Sequence, residues 1–340
     1  MTTQPQRPPG TGPVVTILHG DDLPPGHETI DADPRLQAVR YATADQLSEA
    51  LPGTQALFVW DLFSEAVTTA WPKADHLRWI HAATAGVDNL MFPGLVDSDV
   101  TVTNSRGVFD EPIAEYVLGL VLSFAKDFPR SLDLQRNRLW RHRETERIGG
   151  RRALVIGTGP IGRAIARQLS AAGMRVEGAG RTARESDPDF GTVVQASLDS
   201  GAAPGLDGAL QRADFVVLAA PLTAATQGLM DAAALARMKD TARLINIARG
   251  QLVVEDDLVS ALREGTIGGA ALDVFETEPL PETSPLWDLP EVVISPHMSG
   301  DVIGWRSALV ELFTDNLGRF LEGRELRNIV DKRRGYVAGA

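Results

Sequence analysis

The sequence predicts an α/β protein built from two doubly wound parallel sheets. Short apolar runs alternate with helical stretches along the 340 residues, and several runs are apolar at every position, as strands covered on both faces are. One run passes through a glycine-rich turn straight into a helix. At roughly 100–200 residues per domain, the length fits two domains.

From Val14 onward, residues 14–20 (VVTILHG), 56–60 (ALFVW), 77–84 (LRWIHAAT) and 100–105 (VTVTNS) read as strands, each bounded by turn residues and too short for a helix. Residues 112–126 open on Pro112, which suits a first helical turn, and are apolar nearly all round, as a helix between domains would be. A second series follows: strand 153–157, a helix to about Ala172, then strands 175–180, 215–220, 243–248, 269–275 and 292–295. Residues 303–321 place Trp305, Leu309, Leu312, Phe313, Leu317 and Phe320 at helical spacings. This last helix is expected to return to the first domain, which makes that domain discontinuous: 14–110 plus 302–340, around a second domain of 111–301. Residues 1–13 read as a disordered tail. The basic stretch 136–152 reads as a solvated helix end and linker.

Composition narrows the chemistry. Lys plus Arg is 33 against 45 for Asp plus Glu, a net charge of −12 that argues against nucleic acid as a partner. Cysteine is absent, which excludes disulfides, thiolate zinc sites and cysteine nucleophiles together. No apolar run approaches the length of a membrane span, and a cytoplasmic enzyme fits. His19, His27, His76, His81 and His142 form no ligand spacing, so no metal is expected; they read as surface or strand-end residues.

The glycine-rich turn is Gly157-Thr158-Gly159-Pro160-Ile161-Gly162, set between strand LVI and helix RAIARQLSAAG. That setting gives the pattern its meaning as a dinucleotide site. Gly157 serves the tight turn, Gly159 lets backbone approach a pyrophosphate, Gly162 lets helix and strand pack closely, and the helix N-terminus supplies donors. An acidic residue at the tip of the next strand would accept from a ribose 2′-hydroxyl. Here Glu177 falls inside the strand, the tip is Gly180, and Arg181, Thr182 and Arg184 follow, a cluster suited to a 2′-phosphate. NADP(H) is therefore favoured, with NAD(H) the alternative.

Three chargeable residues follow later strands: Arg249 after INIA, Glu278 after ALDVFET and His297 after VISP. In a doubly wound sheet such positions converge on the ligand crevice. A cation, a carboxylate and an imidazole there suit reduction of a 2-keto acid: Arg249 pairs with the carboxylate and polarises the ketone, His297 donates the proton, and Glu278 holds the imidazole and favours its charged form.

With these segments together, residues 77–331 resemble the D-isomer-specific 2-hydroxyacid dehydrogenase family. The resemblance rests on Ala82-Ala83-Thr84-Ala85-Gly86-Val87-Asp88, Pro112-Ile113-Ala114-Glu115, the glycine turn, Ala220-Pro221-Leu222-Thr223, Ile245 to Gly250, Ala271 to Phe275, Glu278-Pro279-Leu280 and Ser295-Pro296-His297. It implies two Rossmann-like domains with an active-site cleft between them, the discontinuous one flavodoxin-like and substrate-binding. It implies Arg249, Glu278 and His297 as the catalytic trio, with substrate held by Arg249, His297 and the amides of Ala85 and Gly86. Ala220, Pro221, Ile247, Asp273 and Gly300 join the cofactor contacts. A homodimer is implied, joined in part through an arm of about 112–147, from which Trp140 either anchors packing or reaches a partner's site. Formate dehydrogenases of this group carry glutamine at the position of Glu278, and phosphoglycerate dehydrogenases commonly carry an extension for which the chain after His297 is too short. NADPH-dependent glyoxylate/hydroxypyruvate reductases are the nearest in kind, and the expected activity is reduction of a small 2-keto acid to the D-2-hydroxy acid. A dinucleotide-sensing protein like the C-terminal-binding corepressors is the alternative on the same fold.

Overall fold

Apolar strands separated by short helical turns close a five-stranded parallel sheet in the first third of the chain. The strands are β1 (Val14–Leu18), β2 (Ala38–Ala42), β3 (Ala56–Val59), β4 (Trp79–Ala82) and β5 (Thr101–Thr103), in the order β2-β1-β3-β4-β5. The computed structural model describes residues 12–61, 64–196 and 204–337, so the tail expected to be disordered lies, but for Gly12 and Pro13, outside the described residues. Helices of eight residues or more are α1 (Asp110–Ala125), α2 (Phe128–Arg136), α3 (Pro160–Ala171), α4 (Pro204–Arg212), α5 (Glu255–Arg263) and α6 (Trp305–Glu322). None among the described residues is long and apolar enough to cross a membrane. The chain divides into two compact units, 1–109 with 302–340 and 110–301.

In the first unit, β1, β3 and β4 are buried along their whole length, as parallel strands covered on both faces must be. β2 is different. It lies at the edge, half-buried, and its sequence AVRYA carries Arg40 and Tyr41, so no continuous apolar run announces it. α6 seals one face of the sheet: the ring of Phe313 stacks on Phe58 at 4.0 Å between centroids and on Trp79 at 5.4 Å.

His81 departs from expectation. It is no surface residue but a fully buried one in mid-β4, which hydrogen bonds make tolerable. Trp79 Nε1 donates to Thr103 Oγ1 at 2.8 Å, which leaves the threonine proton for His81 Nδ1, also at 2.8 Å. His81 Nε2 then faces Ser105 Oγ at 3.4 Å, and that hydroxyl donates to the carbonyl of Ala82 at 3.0 Å. Every proton is used once when the imidazole is neutral, and burial holds His81 far below its usual range, at about 3.

The second unit contains an eight-stranded sheet in the order β13-β12-β11-β10-β6-β7-β9-β8. Its strands are β6 (Arg152–Ile156), β7 (Arg175–Gly180), β8 (Arg184–Asp187), β9 (Gly191–Gln195), β10 (Phe215–Leu218), β11 (Arg243–Asn246), β12 (Gly269–Leu272) and β13 (Val292–Ile294). All neighbours pair in parallel except β8, which runs antiparallel to β9 at the edge. The chain winds outward from β6 in one direction and from β10 in the other, so the switch point of a doubly wound sheet lies at the carboxyl ends of β6 and β10. Leu154, Ile156, Val216, Leu218 and Leu244 fill the core with Leu206 and Leu210 of α4 and Leu258 and Leu262 of α5.

A prediction follows from His81. Its pKa is depressed in the folded state, so the stability it contributes is complete above the unfolded value of about 6.5 and is lost as pH falls toward the folded value. Between pH 6.5 and 5 the loss of stability from this residue alone steepens from about 0.7 to about 1.4 kcal/mol per pH unit. Urea unfolding of His81→Gln across that window should show a flatter pH dependence than the parent chain; equal slopes would contradict a neutral buried imidazole.

Candidate active site

The site begins with close approaches that only glycine permits. Gly157 leaves β6 at φ +116°, and a Cβ there would lie 2.4 Å from the carbonyl of Ala219 beyond β10. At Gly162, in the first turn of α3, a Cβ would lie 1.9 Å from the carbonyl oxygen of Gly157. Gly159, the N-cap of α3, has open space where its side chain would be, with Pro160 at the first helical position. Backbone amides and an open face at a helix N-terminus are what a pyrophosphate needs, so these residues fit a dinucleotide. Ile161 lies half-buried in the same turn; Ala220 is buried beside Gly157, and Pro221 is exposed.

The next strand ends as the spacing suggests. Glu177 is internal to β7 and engaged by Arg212 Nη2 at 2.9 Å and 3.1 Å, so the tip belongs to Gly180. Thr158 Oγ1 lies 3.0 Å from where a Cβ of Gly180 would start. Arg181 and Thr182 follow, both exposed. Arg184 opens β8 and gives its Nε to Asp187 Oδ2 at 2.9 Å, while its Nη2 is out of solvent with no hydrogen-bond partner.

Arg249, Glu278 and His297 follow β11, β12 and β13, which are neighbours in the sheet, so parallel register brings all three to one edge. Gly250 brings the first two loops together, since a Cβ there would fall 1.8 Å from the carbonyl carbon of Phe275. His297 Nδ1 and Glu278 Oε2 are 2.8 Å apart, and Glu278 Oε1 accepts the amide of Phe275 at 3.0 Å. Burial pushes the Glu278 carboxyl up, but these two bonds and the charges of His297 and Arg249 outweigh it and hold the group below the usual carboxylate range. Arg249 Nη1 donates to the carbonyl of Ala248 at 2.8 Å.

Asp273 controls where His297 points. Its buried carboxylate accepts from Ser295 Oγ at 2.6 Å and the amide of Met298 at 3.0 Å through Oδ1, and from the amide of Ser299 at 2.8 Å through Oδ2. Its backbone carbonyl takes the amide of His297 at 2.8 Å. These bonds hold His297 in the left-handed region, φ +51°, which non-glycine residues seldom occupy. Asp273, expected as a cofactor contact, also supports the turn that carries His297; Ile247, two residues before Arg249, and Gly300, three after His297, are both buried. Burial raises the phenol of Tyr116 in α1, partly offset by the nearby Ser295 hydroxyl. Tyr116 carries no sequence signal for this role, because a hydroxyl on another element leaves no local spacing, and Ser295 shows only as part of the Ser295-Pro296-His297 segment. Among the described residues no group of three acidic or histidine side chains is placed to hold a metal.

Ala85 and Gly86 lie in the first unit, in the turn after β4, where Asn104 Nδ2 donates to the Ala85 carbonyl at 2.6 Å. Trp140 lies fully exposed in the segment after α2.

Comparison with known proteins agrees with this geometry. Residues 118–299 match the model of the D-isomer specific 2-hydroxyacid dehydrogenase, NAD binding domain. The chain is 34% identical over 269 residues to a glyoxylate reductase of Pyrococcus horikoshii, covering 76% of this chain and 78% of that protein. Among solved structures, a D-isomer specific 2-hydroxyacid dehydrogenase of Xanthobacter autotrophicus in complex with NADPH and MES superimposes with a TM-score of 0.79 at 31% identity, over 96% of this chain and 100% of that one. An NADPH-dependent glyoxylate/hydroxypyruvate reductase of Sinorhizobium meliloti in complex with NADP and sulfate gives 0.78 at 29% identity, over 96% and 100%. With a match over more than half its length and relatives this similar along most of the remainder, the chain belongs to the D-isomer specific 2-hydroxyacid dehydrogenase family and is an oxidoreductase of that kind.

Proposed function

We propose that the protein reduces a small 2-keto acid, of glyoxylate or hydroxypyruvate size, to the D-2-hydroxy acid with NADP(H). The observation that carries this reading is the 2.8 Å pair of His297 and Glu278, set on strand ends beside Arg249 in the unit that holds the glycine turn. With Nδ1 bonded to Glu278, Nε2 is the nitrogen of His297 that would face substrate. Nε2 donates its proton to the ketone oxygen as that oxygen gains negative charge, and takes it back in the reverse direction. Arg249 pairs with the substrate carboxylate and draws electron density from the adjacent carbonyl. Gly157, Gly159, Pro160, Ile161 and Gly162 would hold the pyrophosphate, and the nicotinamide, when bound, supplies the hydride to the carbonyl carbon. Arg181 and Thr182 would take the 2′-phosphate, a reading supported by the paired, mid-strand position of Glu177 and by the NADP-bound relatives. The amides of Ala85 and Gly86 are retained as carboxylate donors. A homodimer accords with the exposed Phe128, Leu132, Leu139 and Trp140 along α2 and the segment after it.

Steady-state assays with glyoxylate, hydroxypyruvate and larger 2-keto acids test the chemistry. His297→Ala should lower kcat by about 100-fold or more with modest change in KM. Arg249→Ala should also raise the KM for keto acid strongly, by about ten-fold or more. Near-normal kcat/KM for either variant on every active substrate would refute the assignment.

Cofactor choice has its own test. A charge-assisted bond contributes about 1.5–3 kcal/mol, so Arg181→Ala should raise the KM for NADPH roughly ten- to hundred-fold and leave that for NADH within two-fold. An unchanged NADPH to NADH preference would remove Arg181 from the phosphate site.

A further inference from the structure

Between β7 and β9 the chain replaces a connecting helix with a short excursion, and a buried carboxylate fastens it. Asp187 has a side chain 2% exposed and accepts five hydrogen bonds. Arg163 reaches it as a fork, Nη1 to Oδ1 and Nη2 to Oδ2, both at 3.0 Å. Arg184 Nε adds 2.9 Å to Oδ2, and the amides of Asp189 and Phe190 close on Oδ1 at 3.1 Å and 3.3 Å. Arg163 also gives Nη1 to Asp189 Oδ2 at 2.7 Å and lies over the ring of Phe190 at 5.5 Å. Phe190 in turn fills the space beside Gly178, whose Cβ would lie 2.9 Å from the ring.

Arg163 stands in the first turn of α3, where its amide bonds to the carbonyl of Gly159. Its side chain therefore ties the helix that carries the glycine turn to the edge strand that follows β7. Three exposed residues, Arg181, Thr182 and Ala183, span the gap between two fixed points: Gly180 against Thr158, and Arg184 against Asp187. Arg184 is drawn into this support, with Nε committed and Nη2 withdrawn from solvent.

We propose that Asp187, joined to Arg163 and Arg184, is a positioning residue for cofactor selection: it fixes the 181–183 turn in the shape that accepts a 2′-phosphate, so Arg184 acts as support while Arg181 and Thr182 make the contact. The proposal rests on the reading that this turn receives the 2′-phosphate. A contact-free electrostatic account makes the opposite prediction, because removing the Asp187 charge would leave Arg184 uncompensated and Arg163 with Asp189 alone, and strengthen attraction for a dianion.

Asp187→Asn in the full chain, assayed with NADPH and NADH at saturating keto acid, separates these outcomes. The expected result is a KM for NADPH raised about ten-fold, a KM for NADH changed less than two-fold, and kcat at saturating NADPH within two-fold. Equal increases for both cofactors would reduce Asp187 to a structural role, and a lowered KM for NADPH would favour the electrostatic account; either overturns the proposal. Should Asp187→Asn fail to fold, Arg163→Gln, which removes the fork and leaves the Asp187–Arg184 bond, must give the same selective increase or the proposal falls. If Arg181→Ala leaves cofactor preference unchanged, the phosphate reading itself has failed, whatever the Asp187 variant does.

Discussion

The sheet edge of the second unit that carries Arg249, Glu278 and His297 depends on one buried carboxylate. Without the bonds that Asp273 accepts from Ser295, Met298 and Ser299, nothing local would keep His297 in a left-handed backbone conformation that costs about 1–3 kcal/mol. That conformation accompanies a 2.8 Å bond between the imidazole Nδ1 and Glu278. Strain at His297 is thus stored against a fully engaged anion, and the proposed proton donation would take its geometry from that arrangement.

A second constraint is steric. Gly157, Gly162 and Gly250 each stand where a Cβ would fall within 2.4 Å of another backbone. The first two compress the β6–α3 turn, which puts amides at the switch point of the sheet, and the third compresses the loops after β11 and β12, which brings Arg249 within electrostatic reach of Glu278. The glycine turn and the Arg249–Glu278–His297 group are therefore set by the same sheet, and no long-range device is needed to align them.

Features that follow from covalent period and turn chemistry were legible in the sequence. β7 spans Arg175–Gly180 as read, and the fully buried strands announced themselves as unbroken apolar runs. The charged residues after β11, β12 and β13 could be placed on one edge because parallel strands share a direction. What stayed hidden depends on tertiary pairing. β2 is an edge strand with polar positions, and β8, of sequence RESD, is a strand only because β9 and Arg163 hold it. His81 looks like any other histidine until Trp79, Thr103 and Ser105 are seen around it. The grip of Asp273 on the His297 turn was likewise hidden, because it spans more than twenty residues of sequence.

The central claim is that His297, held by Glu278, delivers the proton during keto-acid reduction. The pH dependence of kcat/KM for glyoxylate with NADPH, compared between the parent chain and Glu278→Gln, tests it most directly. Reduction needs the protonated imidazole, so activity falls as pH rises; an amide in place of the carboxylate stabilises the imidazolium less and should move that basic limb to lower pH. A basic limb at the same pH in both proteins would contradict the account.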